Sequence, residues 1–271
     1  MGARSVARGV VRTAPPAQAL LECVPLYAIK DPKTGDVDFF GTGTLVRIRG
    51  LDLLVTAAHV IQNGSKYILM VAGPETPLLL NRSALVTPVH NGLTRESDPM
   101  DLCVIRLTSK EAAALRTRCR FIEWGNEALM DMPLFICPHR LLGYSEIDAI
   151  PNYSQKTLPI ICSRIDFIED RRVVKHAPWP EVRENPARFV GLRYDPRLLN
   201  PQEKRPKIKS LHGCSGGAIW RTDSHQVIGY AGMVVQCQSP RPRPTGERII
   251  FGIRAKTMDG ILTQWITRGF L

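Results

Sequence analysis

The chain has 271 residues, 44% of them hydrophobic, and carries 36 Lys and Arg against 25 Asp and Glu, a formal net charge of +11 at pH 7. That length and apolar content suffice for a large core, while no apolar run approaches the roughly 20 residues that cross a bilayer, so no membrane span is expected. The basic residues are scattered and lack a recognition helix, a zinc finger or an RNA-binding aromatic pattern; they read as a solvated basic surface with no specific nucleic-acid partner.

Residues 1–21 form a basic leader. It contains Arg4, Arg8 and Arg12 without an acidic residue, and its apolar stretches are too short for a secretory signal, although an Arg-rich organellar transit peptide also fits this composition. Period-two hydrophobicity then predicts strands. Residues 39–47 and 51–56 form a hairpin about Gly50, and 66–72, 78–80 and 102–107 continue the set. A brief helical signal covers 111–117, and 121–131 reads as a linker. A second set of strands covers 134–137, 157–168, 188–193, 218–221, 227–235 and 249–253. Residues 259–266 carry apolar side chains at helical spacing.

Two stretches interrupt the second set. Residues 168–209 hold six prolines and many charges, and read as long loops. Residues 236–248 alternate Pro240, Pro242 and Pro244 with Arg241 and Arg243, which predicts an extended loop. The seven cysteines are odd in number and irregularly spaced, with no Cys-x-x-Cys pair and no Cys/His cluster suited to zinc. Reduced thiols in a cytoplasmic protein are the expectation.

Three short segments carry chemistry: Val55-Thr56-Ala57-Ala58-His59-Val60, Asp101-Leu102-Cys103-Val104-Ile105-Arg106-Leu107, and Leu211-His212-Gly213-Cys214-Ser215-Gly216-Gly217. A serine hydroxyl is a weak nucleophile at neutral pH and needs a base to take its proton, a role suited to His59. An imidazole in turn needs a buried carboxylate to fix its tautomer and stabilise the imidazolium, a role suited to Asp101. Asp98 competes for that role, but it precedes a proline and lacks the following strand pattern. The N–H groups of Gly213 and Ser215 can converge on a developing oxyanion, and Gly213 allows the backbone angles such a turn requires.

These segments, in this order and at separations of 42 and 114 residues, resemble those of the trypsin-like serine peptidases of the chymotrypsin fold. The likeness extends from Phe40-Gly41-Thr42-Gly43-Thr44 to the segment ending at Trp265. It implies an all-β fold of two antiparallel six-stranded β-barrels with a short C-terminal helix. The first barrel would span 22–120 and carry His59 and Asp101. A linker at 121–133 would lead to the second barrel, 134–258, which carries Ser215 and the long loops 168–209 and 236–248; the helix would occupy 259–271.

The resemblance further implies a serine endopeptidase with catalytic His59, Asp101 and Ser215 and an oxyanion hole at Gly213 and Ser215. Substrate would be bound by Lys209 and by the strand residues Gly232, Met233 and Val234. No metal and no organic cofactor are implied. The chain departs from secreted members at Val60, where they carry a cysteine, and at Cys214, where their zymogens carry the aspartate that pairs with a newly cut amino terminus. A neutral thiol forms no such ion pair. The expectation is therefore a regulated bacterial, cytoplasmic protease with a protein or peptide substrate and an activating protein partner; the alternative is a catalytically latent, peptidase-like binding module.

Overall fold

The computed structural model describes residues 22–31, 36–63, 68–71, 78–80, 83–90, 92–125, 138–145, 163–194, 211–223, 226–238 and 248–271. The first half of the chain supplies strands β1 (Cys23–Asp31), β2 (Asp36–Ile48), β3 (Leu51–Ala57), β4 (Ile68–Val71), β5 (Leu78–Leu80), β6 (Leu85–Val86), β7 (Leu102–Arg106) and β8 (Ile122–Glu123). Helix α1 (Ala58–Asn63) follows β3, and α2 (Ser109–Arg116) follows β7.

Turn and cap chemistry sets the bounds of these elements. Arg49 and Gly50 both have positive φ, 49° and 79°, the twist that a two-residue hairpin between β2 and β3 requires. Helix α2 starts at a capping box: Glu111 N–H donates to the Thr108 hydroxyl at 3.2 Å, and the Glu111 carboxylate accepts from Thr108 N–H at 2.6 Å. Its apolar stripe, Ala112 and Leu115, turns into the core.

These strands form one sheet in the order β5-β4-β1-β2-β3-β7-β6, with β8 added in parallel to β2. The expected first six-stranded barrel is therefore replaced, among the described residues, by an open eight-stranded sheet. Its outermost strands, β5 and β6, are only three and two residues long and do not pair with each other. Strand β8 takes the edge of β2 that β1 leaves beyond the Cys23↔Thr44 pair, through Val46↔Ile122 and Arg47↔Glu123.

The second half closes. Strands β9 (Pro138–Gly143), β10 (Ser163–Glu169), β11 (Phe189–Tyr194), β12 (Ala218–Asp223), β13 (Gln226–Gln238) and β14 (Arg248–Arg254) make a six-stranded antiparallel barrel in the order β10-β11-β14-β13-β12-β9. Leu141, Phe167, Val190, Leu192, Ile219, Val234 and Ile250 fill its interior. Each such buried aliphatic or aromatic side chain contributes about 1.5–3 kcal/mol.

The opposite face of β9, β12 and β13 presents Leu142, Trp220 and Met233 to Val46, Leu53, Val55 and Val104 of the first sheet, and one apolar cluster runs across both. This shared core fixes the serine-bearing turn against the histidine-bearing strand. Helix α5 (Ala255–Thr267) closes the same cluster with Met258 and Leu262. Trp124 Nε1 anchors it by donating to Asp259 at 2.7 Å.

The helix begins four residues before the bound read from periodicity, because Ala255 and Met258 are buried against the barrel and extend the apolar face backward. Part of 168–209 is also more ordered than its proline content suggests. Asp170 caps helix α3 (Arg171–Lys175), Pro180 occupies the first turn of α4 (Pro180–Glu184), and Val173, Val174, Trp179 and Val182 pack on Phe189 and Phe251 of the barrel. Strand 134–137 and Lys209 lie outside the described residues. No helix among them is long and apolar enough to cross a membrane.

Candidate active site

Strand β3 ends at Ala57, and His59 stands in the first turn of α1. The Ala57 and Ala58 side chains are small and buried, so the strand passes into the helix without displacing its neighbours. Strand β7 pairs with β3 up to Ala57↔Leu102, which sets Asp101 opposite the strand-to-helix junction. Three donors then meet this residue. Ala58 N–H donates to the Asp101 carbonyl at 3.2 Å, His59 N–H to the carboxylate oxygens at 3.1 and 3.3 Å, and His59 Nδ1 bonds to Oδ2.

Asp101 is 1% exposed, so its charge is held where desolvation opposes it. Burial raises its carboxyl above the usual range; the hydrogen bond from His59, the charge of His59 and the charge of Arg95 each act the other way. The Arg95 guanidinium stands 3.8 Å from Asp101 and 3.8 Å from Asp98. Asp98 itself accepts from Met100 N–H at 3.0 Å and meets His90 Nδ1 at 3.1 Å. The two acidic candidates thus have separate histidines: Asp101 serves His59, and Asp98 serves His90.

Ser215 is held by the turn around it. Gly213 and Gly216 have φ of +89° and +87°, the left-handed region that glycine enters without strain. Gly217 N–H donates to Cys214 O at 2.8 Å, and Cys214 N–H to Leu211 O at 3.2 Å. The turn is fastened to both halves of the molecule. Strand β13 holds it through Gly216 N–H to Val234 O at 2.8 Å and Val234 N–H to Gly217 O at 2.9 Å. Strand β2 holds it through Thr42 N–H to Ser215 O at 3.0 Å, the Thr42 hydroxyl to Gly213 O at 2.8 Å and the Thr44 hydroxyl to Gly216 O at 2.7 Å. The N–H groups of Gly213 and Ser215 bond to no acceptor among the described residues.

Gly41 marks where the two walls meet. A Cβ there would lie 2.9 Å from Val60 Cγ2 and 3.3 Å from Ser215 O, so the residue after His59 and the backbone of Ser215 both rest on this glycine. The structure brings His59, Asp101 and the Gly213–Ser215 turn to one junction. It forms no hydrogen bond between the Ser215 hydroxyl and His59.

Gly232, Met233 and Val234 lie within the barrel wall. Gly232 pairs with Ile219 and Arg254, Met233 with Ala218 and Ile253, and Val234 with Gly252 and the serine turn. The Met233 and Val234 side chains are fully buried. Both backbone edges are in use at these positions, and Val234 holds the serine turn from behind. On the β12 side, ladder pairing of β13 ends at Ala218↔Met233, and the strand runs on to Gln238 past the serine turn.

Sequence reasoning passed over Gly41, Thr42, Thr44 and Arg95. The Gly-Thr-Gly-Thr alternation of 41–44 was the available signal: glycines at period two clear room for a neighbouring backbone, and the intervening hydroxyls can bond it. No comparable signal marks Arg95, which reaches Asp101 only through folding of the 92–100 segment. No group of three or more His, Cys, Asp or Glu side chains converges as a metal site among the described residues. No family model matches the chain, and no curated protein matches it.

Proposed function

We propose that the chain is a serine endopeptidase that cleaves peptide bonds through an acyl-enzyme on Ser215. The observation that carries this reading is the buried Asp101 carboxylate. It engages both the backbone N–H and the Nδ1 of His59, beside a double-glycine turn that presents Ser215 and two uncommitted N–H groups. A carboxylate on Nδ1 leaves Nε2 as the basic nitrogen, the arrangement a general base needs.

In the proposed reaction, His59 Nε2 takes the Ser215 proton as the hydroxyl attacks the substrate carbonyl. The N–H groups of Gly213 and Ser215 receive the oxyanion, and His59 then hands its proton to the departing amine. Water attacks the resulting ester with His59 again as base. Strand β13 runs on past the serine turn, and an extended peptide that adds as a strand alongside that stretch would bring its carbonyl over the turn.

The missing hydrogen bond between Ser215 and His59 favours a second element of the reading: a site completed on binding. Catalytic hydrogen bonds are often loose before a ligand seats them. This suits a regulated protease with an activating protein partner, and the reduced thiols of Cys23, Cys103, Cys119 and Cys214 suit a reducing, cytoplasmic setting. Labelling of the purified chain by a fluorophosphonate probe tests the reading. Labelling that vanishes in Ser215→Ala and falls sharply in His59→Ala is the expected result; folded wild-type protein that stays unlabelled with and without peptide substrates would replace the endopeptidase by a latent, peptidase-like binding module.

A further inference from the structure

Behind His59, Asp101 heads a row of charges whose other members, Arg95, Asp98 and His90, the proposed reaction does not use. The Arg95 side chain is 10% exposed and the Asp98 side chain 0%. Arg95 Nη1 stands midway between the carboxylates, 3.8 Å from Asp98 Oδ2 and 3.8 Å from Asp101 Oδ1. Neither Arg95 Nη1 nor Asp98 Oδ2 has a hydrogen-bond partner among the described residues. Both are buried polar atoms whose desolvation is offset by opposite charge alone, without the directional bonds that would fix them in one geometry.

We propose that Arg95 is a positioning residue for Asp101, and that Asp98 sets how much of the Arg95 charge Asp101 feels. This rests on the peptidase reading above. The physical need is clear from the surroundings of Asp101. Its charge is buried, and the only hydrogen-bond donors to its carboxylate among the described residues come from His59. A lone buried carboxylate of this kind tends to hold a proton, and a protonated Asp101 could not stabilise an imidazolium. Arg95 opposes that without occupying the oxygen that the His59 ring uses, since it faces Oδ1 whereas Nδ1 bonds Oδ2. An uncompensated guanidinium beside His59 would in turn disfavour the imidazolium. Asp98 balances it.

The remaining groups around the row complete the account. His90 closes its solvent end, half-exposed, with Nδ1 at 3.1 Å from Asp98 Oδ1. Cys103 lies beside Asp101 with its thiol pushed up to about 12, chiefly by burial, so it stays neutral. Helix α3 packs its apolar face on Met100, and its basic groups Arg171, Arg172 and Lys175, with the following His176, are exposed and screened by solvent.

The two members of the row push His59 in opposite directions, which separates this role from simple structural damage. The His59 ring titration is read by NMR in the full-length Ser215→Ala background, so that no turnover is required. Arg95→Met is expected to raise its midpoint by about one pH unit, because both carboxylates then act on the imidazolium. Asp98→Asn is expected to lower it by about half a unit, and Arg95→Lys to stay near the wild-type value. In the active background, Arg95→Met moves the acidic limb of kcat/KM upward by the same unit, a loss approaching tenfold low on that limb with little change on the plateau.

An unmoved midpoint in Arg95→Met, or shifts of the same sign in Arg95→Met and Asp98→Asn, overturns the proposal. Should Arg95→Met not fold, Asp98→Asn decides alone: a downward shift supports the proposal and no shift overturns it. The titration is independent of turnover, so the peptidase reading can fail, by absence of labelling, while these shifts are still observed.

Discussion

Thr42 holds Ser215 through its backbone and Gly213 through its side chain: its N–H donates to Ser215 O at 3.0 Å and its hydroxyl to Gly213 O at 2.8 Å. The same hydroxyl accepts from Tyr144 N–H at 2.9 Å, and the Thr42 carbonyl accepts from the Thr56 hydroxyl at 2.7 Å, three residues before His59. One buried residue of the first sheet therefore sets the serine turn of the barrel in register with the histidine strand. Thr42→Val keeps the shape and removes the hydroxyl, and with it the donor to Gly213 C=O and the acceptor of Tyr144 N–H. The expected loss is about 1–3 kcal/mol in denaturant unfolding. Fluorophosphonate labelling should slow by more than that loss of folded protein explains, because in the proposed reaction Gly213 also supplies an oxyanion donor.

At Gly216 the two halves approach each other closely. A Cβ there would sit 1.9 Å from Thr42 O and 2.4 Å from Thr56 Oγ1, and φ is +87°. Gly50 shares the left-handed backbone, with φ of +79°, but a Cβ there would meet nothing within 4 Å. Gly50→Ala should therefore cost only the backbone term, about 1–2 kcal/mol. Gly216→Ala should cost clearly more and abolish labelling, since strand β2 must move away from the turn. Equal losses in the two variants, measured by chemical unfolding, would contradict this account of the close approach.

The site was legible in the sequence where chemistry is local, and illegible where it depends on folding. His59, Asp101 and the Gly213–Gly217 turn stand in short patterns whose residue types suit the proposed base, orienting acid and anion cradle. The strands flanking them follow period-two alternation, and most were readable within a few residues. Closure of the first sheet was not readable, because it depends on whether strands of two and three residues at its two ends meet. That both edges of Gly232, Met233 and Val234 are paired was not readable, because alternation identifies a strand without saying which edges its neighbours already occupy. Helices α3 and α4 were hidden by a proline-rich composition, although Pro180 at the start of a helix is favourable and Trp179 and Val182 give it an apolar face. Arg95 lies in a segment with no periodicity, and only the folded chain brings it between two carboxylates.

Asp170 offers a check on electrostatics away from the site. It caps α3, accepting from Arg172 N–H at 2.9 Å, and pairs with the Arg172 guanidinium at 2.9 Å and with Arg193 at 3.4 Å. The hydrogen bond from the Arg172 side chain is the main cause that holds its carboxyl below the ordinary range. A depressed carboxyl stabilises the fold above its ordinary value and loses that contribution as pH falls through the depressed value. Asp170→Asn retains a capping oxygen and removes the charge, so it should cost about 0.5–1 kcal/mol at pH 7. The difference from wild type should vanish in strong acid; a difference that persists unchanged to the lowest pH at which the protein folds would show that the cap, and not the charge, is responsible.

Asp101 has the opposite sign. Burial is the largest influence on its carboxyl and raises it above the ordinary value of 3.8. Between that value and the raised one the folded chain binds more protons at this residue than the unfolded chain, so its contribution to stability falls as pH climbs through the window and stays unfavourable above it. Asp101→Asn removes the ionisation and nearly preserves the shape. Relative to wild type, the variant should therefore gain thermal stability as pH rises from about 3.5 to 7, the reverse of the Asp170→Asn trend. Its activity should move the other way. An asparagine amide can turn only one group toward Nδ1, and while its oxygen continues to accept His59 N–H, the amide nitrogen favours the tautomer with the proton on Nε2. A loss of about 10⁴ in kcat is expected on that ground. A variant that loses activity without the pH-dependent gain in melting temperature would mean that Asp101 is not held as a costly buried charge, whereas the two changes together would mark it as a residue kept for function against the preference of the fold.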